Sequence, residues 1–198
     1  KNLSFSECSI IHNPLELNAS EDIEYKRDGF IMCGRLNPEK GFDTVIKFFG
    51  TTMTTVNLDI WCSTQPGKEK YAEKVIKLAE NYSNITLHLN KPNSEFLLAL
   101  HRKQALIINS IESLSYVGME AMYSGCKVIH ILKDGISPLT EFKTNFVLQI
   151  SDLHQDYMKV LEFIHTQVPK QEVLEYRIKV SKSEFYKKIN DEISDLLK

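Results

Sequence analysis

The stretch Phe30-Ile31-Met32-Cys33-Gly34-Arg35-Leu36-Asn37-Pro38-Glu39-Lys40-Gly41 decides the fold. It opens on four apolar residues, Phe30 to Cys33, with the continuous hydrophobicity of a strand buried on both faces. Gly34 then breaks the run, Pro38 and Gly41 punctuate a short turn, and a helix follows near Phe42–Phe49. Gly34 lets the backbone turn tightly where a side chain would obstruct a ligand. Arg35 and Lys40 bring two cations beside a helix start, whose N–H groups already favour an anion. Strand, glycine turn, cations and helix start read as a diphosphate cradle, with Arg gripping phosphate oxygens bidentately and Lys acting as a point charge, or as a solvated loop with two surface cations, one paired to Glu39.

Working outward, the same alternation continues. Leu58-Asp59-Ile60-Trp61-Cys62 reads as a second strand, followed by a helix carrying Tyr71, Val75, Leu78 and Tyr82 at helical spacing. Ile85–Leu89 is a third strand and Glu95–His101 a helix; Ala105–Asn109 is a fourth strand, leading into a helix over Tyr116–Tyr123. Lys127–Leu132 and Phe146–Ile150 complete the set. Apolar strands alternating with helices argue for a parallel sheet covered on both faces. The right-handed crossover rule then gives a Rossmann-like, doubly wound α/β fold with extra C-terminal helices. In such sheets ligands sit at the carboxyl ends of the strands, which directs attention to the loops after Cys33 and Asn109.

After Ile150 the pattern is helical alone, with Leu153, Tyr157, Val160, Leu161 and Ile164 on one stripe. Phe185, Ile189, Ile193 and Leu196 form another, and Pro169 breaks between them. Residues 1–25, with His12-Asn13-Pro14 and the acidic Glu21-Asp22, read as an entry segment, residues 26–150 as the sheet domain and 151–198 as the helical tail. The chain begins at Lys1, which reads as a processed product or a piece of something longer.

Composition narrows the classes. A chain of 198 residues, 42% hydrophobic and 25% charged, with a net charge of −2, is sized for one well-buried domain. Balanced charge argues against nucleic-acid binding, which needs a clear basic excess. Cys8, Cys33, Cys62 and Cys126 are widely spaced, with no C-x-x-C pair. Cys33 and Cys62 sit in strand-like runs as small hydrophobes, which points to a reducing compartment and to neither a disulfide framework nor a zinc site. No apolar run approaches the length of a membrane span. His88, His130 and Trp61 read as packed or hydrogen-bonded core groups. Lys179, Lys182, Lys187 and Lys188 read as solvated helix faces, with a membrane-surface role the lesser reading.

A second constellation follows the fourth strand. Glu112 falls in the loop at its carboxyl end, and Glu120, with seven residues between them, lies inside the next helix. One turn of loop plus one turn of helix can bring both carboxylates to one cleft; the alternative is plain surface charge, against which stands their position at a strand–helix junction on the ligand edge of the sheet. A carboxylate accepts two hydrogen bonds at once and so suits vicinal hydroxyls, as on a ribose or hexose.

These residues resemble the carboxyl-terminal, donor-binding domain of a GT-B glycosyltransferase of family 4, the glycosyl transferases group 1. Gly34-Arg35, Lys40 and Gly41 match a strand ending in G-R-x-x-x-x-K-G. Ser110 followed by Glu112 and Glu120 matches an E-x7-E element after a strand ending in Ser, and Ala121-Met122-Tyr123-Ser124-Gly125-Cys126-Lys127-Val128-Ile129 resembles the family's E-A-M-A-x-G-x-P-V-I run. Ile10-Ile11-His12-Asn13-Pro14 resembles the crossing from the first domain to the second. The resemblance implies that Gly34, Arg35 and Lys40 hold the diphosphate of a UDP- or GDP-sugar. It also implies that the backbone amides of Ser115, Tyr116 and Val117 cradle its distal phosphate. Glu120 would bind the ribose, and Glu112 would make the catalytic contact to the transferred sugar.

The resemblance further implies a retaining reaction with no metal or other cofactor. It implies a separate acceptor-binding domain and a cytoplasmic site of action, with peripheral contact at the inner membrane face through the full-length protein. Its pathway would be polysaccharide, lipopolysaccharide or glycolipid synthesis, with the fragment alone inactive. Two departures matter. Glu112-Ser113-Leu114-Ser115 stands where E-G-F-G is usual, and Cys62-Ser63-Thr64-Gln65-Pro66-Gly67 stands where the second strand usually ends in a G-x-G turn. They support an alternative reading, a non-catalytic nucleotide-binding or scaffolding domain of the same fold. A flavodoxin-like sensor domain is the weakest reading, because Asp59 and Asp134 lack an accompanying acidic cluster.

Overall fold

A computed structural model describes residues 14–15, 26–111, 115–141 and 145–196, excepting the side chains of 141, 195 and 196. Most of the entry segment, Cys8 and Glu112 lie outside the described residues. Among the described residues six parallel strands form one sheet, in which the first strand in the chain is central and pairs with the second and the fourth. They are β1 (Phe30–Arg35), β2 (Leu58–Ser63), β3 (Ile85–Leu89), β4 (Ala105–Ile108), β5 (Lys127–Ile131) and β6 (Val147–Ile150). The helices between them are α1 (Phe42–Thr51), α2 (Glu69–Ala79), α3 (Asn93–Leu100) and α4 (Tyr116–Tyr123). The chain then continues through α5 (Tyr157–His165), α6 (Lys170–Lys179) and α7 (Lys182–Leu196).

The apolar strands divide their side chains between two cores because successive Cβ atoms alternate across a sheet. Phe30 and Met32 of β1 and Ala105 and Ile107 of β4 face one core with Phe42, Val45, Ile46 and Phe49 of α1. Ile31 of β1 and Leu106 and Ile108 of β4 face the other, with Phe96 and Leu100 of α3 and Met119 and Met122 of α4. Helices on both faces make the sheet doubly wound, as the sequence implies. In the register, Phe30 lies beside Leu58 on one side and Ala105 on the other.

Several boundaries differ from the sequence reading. β1 continues through Gly34 and Arg35, because both still pair with Cys62 and Ser63 of β2. α2 stops at Ala79, so Tyr82 lies in the turn beyond it; its ring rests where a Cβ on Gly50 would come within 2.5 Å. The helical tail holds α6 in addition to the two helices marked by the apolar stripes. Only Val173 and Tyr176 of α6 are buried, a stripe too narrow to stand out from its charged neighbours. Leu153 and Val160 join the first core, and Val173, Tyr176 and Val180 the second, so α5 packs on one face of the sheet and α6 on the other. The α7 stripe is thinly covered: Phe185 and Ile189 are half-buried and Ile193 is exposed.

Candidate donor-binding site

β1 and β4 are neighbours whose following helices lie on opposite faces, so their carboxyl ends diverge and open a crevice at the switch point of the sheet. A cavity of about 310 Å³ occupies it. Gly34, Arg35, Lys40, Ser115, Tyr116 and Val117 all line this cavity, together with Asn109 and Ser110 of the β4–α4 loop.

Local chemistry explains each position. Gly34 has φ +155°, and an added Cβ would sit 3.8 Å from the Lys40 stem, leaving the lysine close against the strand end. The fully buried Leu36 anchors the loop and donates its N–H to Ser63 at 2.8 Å. Asn37 then caps a single 3-10 turn over Pro38–Lys40, accepting from the N–H of Glu39 at 3.4 Å. That turn ends on Gly41, whose φ of +62° redirects the chain into α1. Lys40 Nζ reaches across the crevice and donates to Ser110 Oγ at 3.2 Å, while Asn109 Nδ2 donates to the Gly41 carbonyl at 3.3 Å. Two side-chain bonds thus tie the cation loop to the end of β4.

The far wall is the N-terminus of α4. Ser115 is its N-cap, accepting from the Gly118 N–H at 3.2 Å. Glu120 lies one turn further along, half-buried, and burial raises its carboxyl above the ordinary value. The Cys33 thiol at the end of β1 is pushed up to about 12, first by burial and next by the Glu120 carboxylate. Glu120 is absent from the cavity lining, of which Cys33 is part. Glu112 lies outside the described residues.

The sequence reading missed the support behind this wall. His130 is fully buried on β5; its Nε2 lies 2.9 Å from the Ser110 carbonyl and its Nδ1 2.7 Å from Ser137 Oγ. A carbonyl can only accept, so Nε2 carries the proton, and in the neutral ring Nδ1 accepts from Ser137. The histidine thereby fixes the residue that Lys40 contacts. Nothing in a strand-like K-V-I-H-I run distinguishes such a role from ordinary packing. Trp61 is buried, as its apolar strand suggests, and stacks on His88 with ring centroids 4.2 Å apart. Cys33, Cys62 and Cys126 are free thiols. Among the described residues no group of His, Cys, Asp and Glu is arranged to hold a metal ion, and no helix is long and apolar enough to cross a membrane.

No curated protein sequence matches the chain. Among solved structures, the apo lipopolysaccharide outer core galactosyltransferase WaaB superimposes with a TM-score of 0.73 at 16% identity, covering 98% of this chain and 57% of that one. AviGT4, a glycosyltransferase involved in avilamycin A biosynthesis, gives 0.66 at 17% identity, covering 95% and 57%. Anabaena Alr3699/HepE in complex with UDP and glucose gives 0.62 at 12% identity, covering 85% and 48%. The chain therefore spans about half the length of these structures. Residues 16–177 match the family described as glycosyl transferases group 1, and the chain belongs to that family.

Proposed function

We propose that this chain is the donor-binding half of a retaining GT-B glycosyltransferase that uses a UDP- or GDP-linked sugar. The observation that carries the reading is the convergence of Gly34, Arg35, Lys40 and the α4 N-terminus on one cavity at the switch point. Cations and a helix start on facing walls suit a diphosphate lying between them. They can also stabilise the charge that develops on the departing nucleoside diphosphate, the role a metal ion plays elsewhere. Glu120 would accept from the ribose hydroxyls; Glu112 would contact the transferred sugar. The acceptor would be held by a partner domain across the cleft, in cytoplasmic synthesis of a polysaccharide, lipopolysaccharide or glycolipid with peripheral membrane contact.

A second reading, a nucleotide-binding or scaffolding domain without chemistry, is favoured by one contact. Ser115 already occupies the Gly118 N–H, one of the first-turn donors that a phosphate would use. Calorimetric titration with UDP, GDP, ADP and their sugar conjugates separates the two. A working donor site binds one base, prefers the sugar conjugate to the bare diphosphate, and loses about 1.5–3 kcal/mol in a Lys40→Ala variant. Equal affinity for diphosphate and conjugate favours the scaffold, and no effect of Lys40→Ala on binding sinks the donor reading.

A further inference from the structure

A second cavity, of about 420 Å³, lies at the opposite end of the sheet from the donor crevice. It opens where β4 and β5 begin, between the α4–β5 turn, the end of α5 and the start of α6. Its wall carries Lys26, Arg27, Lys127, His165 and Lys170 and no carboxylate.

Two of these cations are built in. Arg27 donates through Nη1 to the carbonyls of Leu100 and Lys103 at 3.0 and 3.1 Å, and through Nη2 to that of Ser124 at 2.5 Å. Lys127, almost wholly buried, donates to the carbonyls of Phe163 and Thr166 and to the Thr166 hydroxyl, closing the C-terminal end of α5. All six acceptors are neutral. They hold the charges in place without cancelling them, so the field of both cations reaches into the cavity.

Neighbouring groups add to that sign. Arg177 packs near enough to Arg27 to depress it further, after burial, and its Nη2 is buried without a hydrogen-bond partner. α6 opens at Lys170 with no side-chain cap on its N-terminus. Against them stands Glu172 in the first turn of α6, which accepts from the Asn145 amide at 2.8 Å, keeps its charge, and lies outside the cavity lining. Lys26 and Lys170 stand exposed at the rim, free to close on a ligand.

We propose that this basal cavity binds a small phosphate-bearing anion, at a site separate from the donor crevice. Lys26, Arg27 and Lys170, joined at neutral pH by Lys127, whose ammonium burial lowers to about 8, suit a group with two or more negative charges better than a single carboxylate. A soluble phosphorylated metabolite and a lipid phosphate headgroup share this chemistry, and the test distinguishes them.

Inorganic pyrophosphate is titrated by calorimetry into the chain, into Lys40→Ala and into the double variant Lys26→Ala/Lys170→Ala. Both rim residues are exposed, so the double variant should keep the parent melting temperature. The expected result is a binding event that persists in Lys40→Ala and weakens about tenfold or more in the rim variant, the scale of losing charge-assisted contacts. Co-sedimentation with phosphatidic acid vesicles, against phosphatidylcholine vesicles, then assigns the source. Rim-dependent binding to phosphatidic acid indicates a headgroup, and its absence indicates a soluble ligand. Pyrophosphate binding that vanishes in Lys40→Ala, that is unchanged in the rim variant, or that is absent from the parent overturns the proposal. Pyrophosphate binding lost in Lys40→Ala would place the anion in the donor crevice, whereas the donor reading itself stands or falls on the sugar-nucleotide titrations, so the two failures are distinguishable.

Discussion

Replacing Gly41 with alanine probes the joint between the cation loop and the end of β4. Gly41 has φ +62°, and a residue with a Cβ pays about 1–2 kcal/mol to adopt that left-handed conformation. An added Cβ would also lie 2.1 Å from Asn109 Nδ2 and 3.1 Å from Asn109 Cγ, so the asparagine must move. Moving it breaks the 3.3 Å bond to the Gly41 carbonyl, worth about 1 kcal/mol net. Gly41→Ala should therefore lower stability by about 2–4 kcal/mol. Gly67→Ala supplies the control. Its φ is +79° but nothing lies within 4 Å of the added Cβ, so only the backbone strain of about 1–2 kcal/mol applies. Urea unfolding of both variants, followed by circular dichroism, measures the difference, with slopes expected to match the parent. Adding Asn109→Ala to Gly41→Ala should recover part of the loss by removing the clash. Equal midpoints for the two glycine variants, or no recovery in the double variant, would refute the claim that Asn109 clasps the loop.

The remaining expectations concern buried polar support. His130→Phe leaves the Ser110 carbonyl and the Ser137 hydroxyl without their ring partners and should cost about 2–4 kcal/mol in the same unfolding assay; a loss below about 0.5 kcal/mol would show the bonds to be incidental. Asp156 is held at about 2, below its ordinary 3.8, chiefly by Lys159 and the Ser151 N–H. A depressed carboxyl stabilises the fold above its unfolded value, and that gain is lost as pH falls through the folded one. Asp156→Asn should thus be less stable than the parent at neutral pH, with the gap closing between about pH 4 and pH 2. A gap that does not change with pH would contradict the ionic origin.

The continuous apolar runs of β1, β4 and β5 and the punctuation at Gly34 and Gly41 made the doubly wound sheet legible, because strand burial and glycine turns are local, periodic signals. Arg35, Lys40 and the start of α4 could be assigned to one end of the sheet for the same reason: in parallel strands every such loop emerges on the carboxyl side. The sequence did not reveal that Asn109 and Ser110 clasp the cation loop or that His130 sets Ser110, since these contacts join residues far apart in the chain. Nor did it reveal α6, whose two buried residues become a pattern only against the second core. The cationic basal cavity is the clearest case. Lys26, Lys127 and Lys170 come from three unrelated segments, each ordinary in its own surroundings. Only the packing of α5 and α6 across the starts of β4 and β5 assembles them around one cavity, because a shared electrostatic field depends on distance in space and not along the chain.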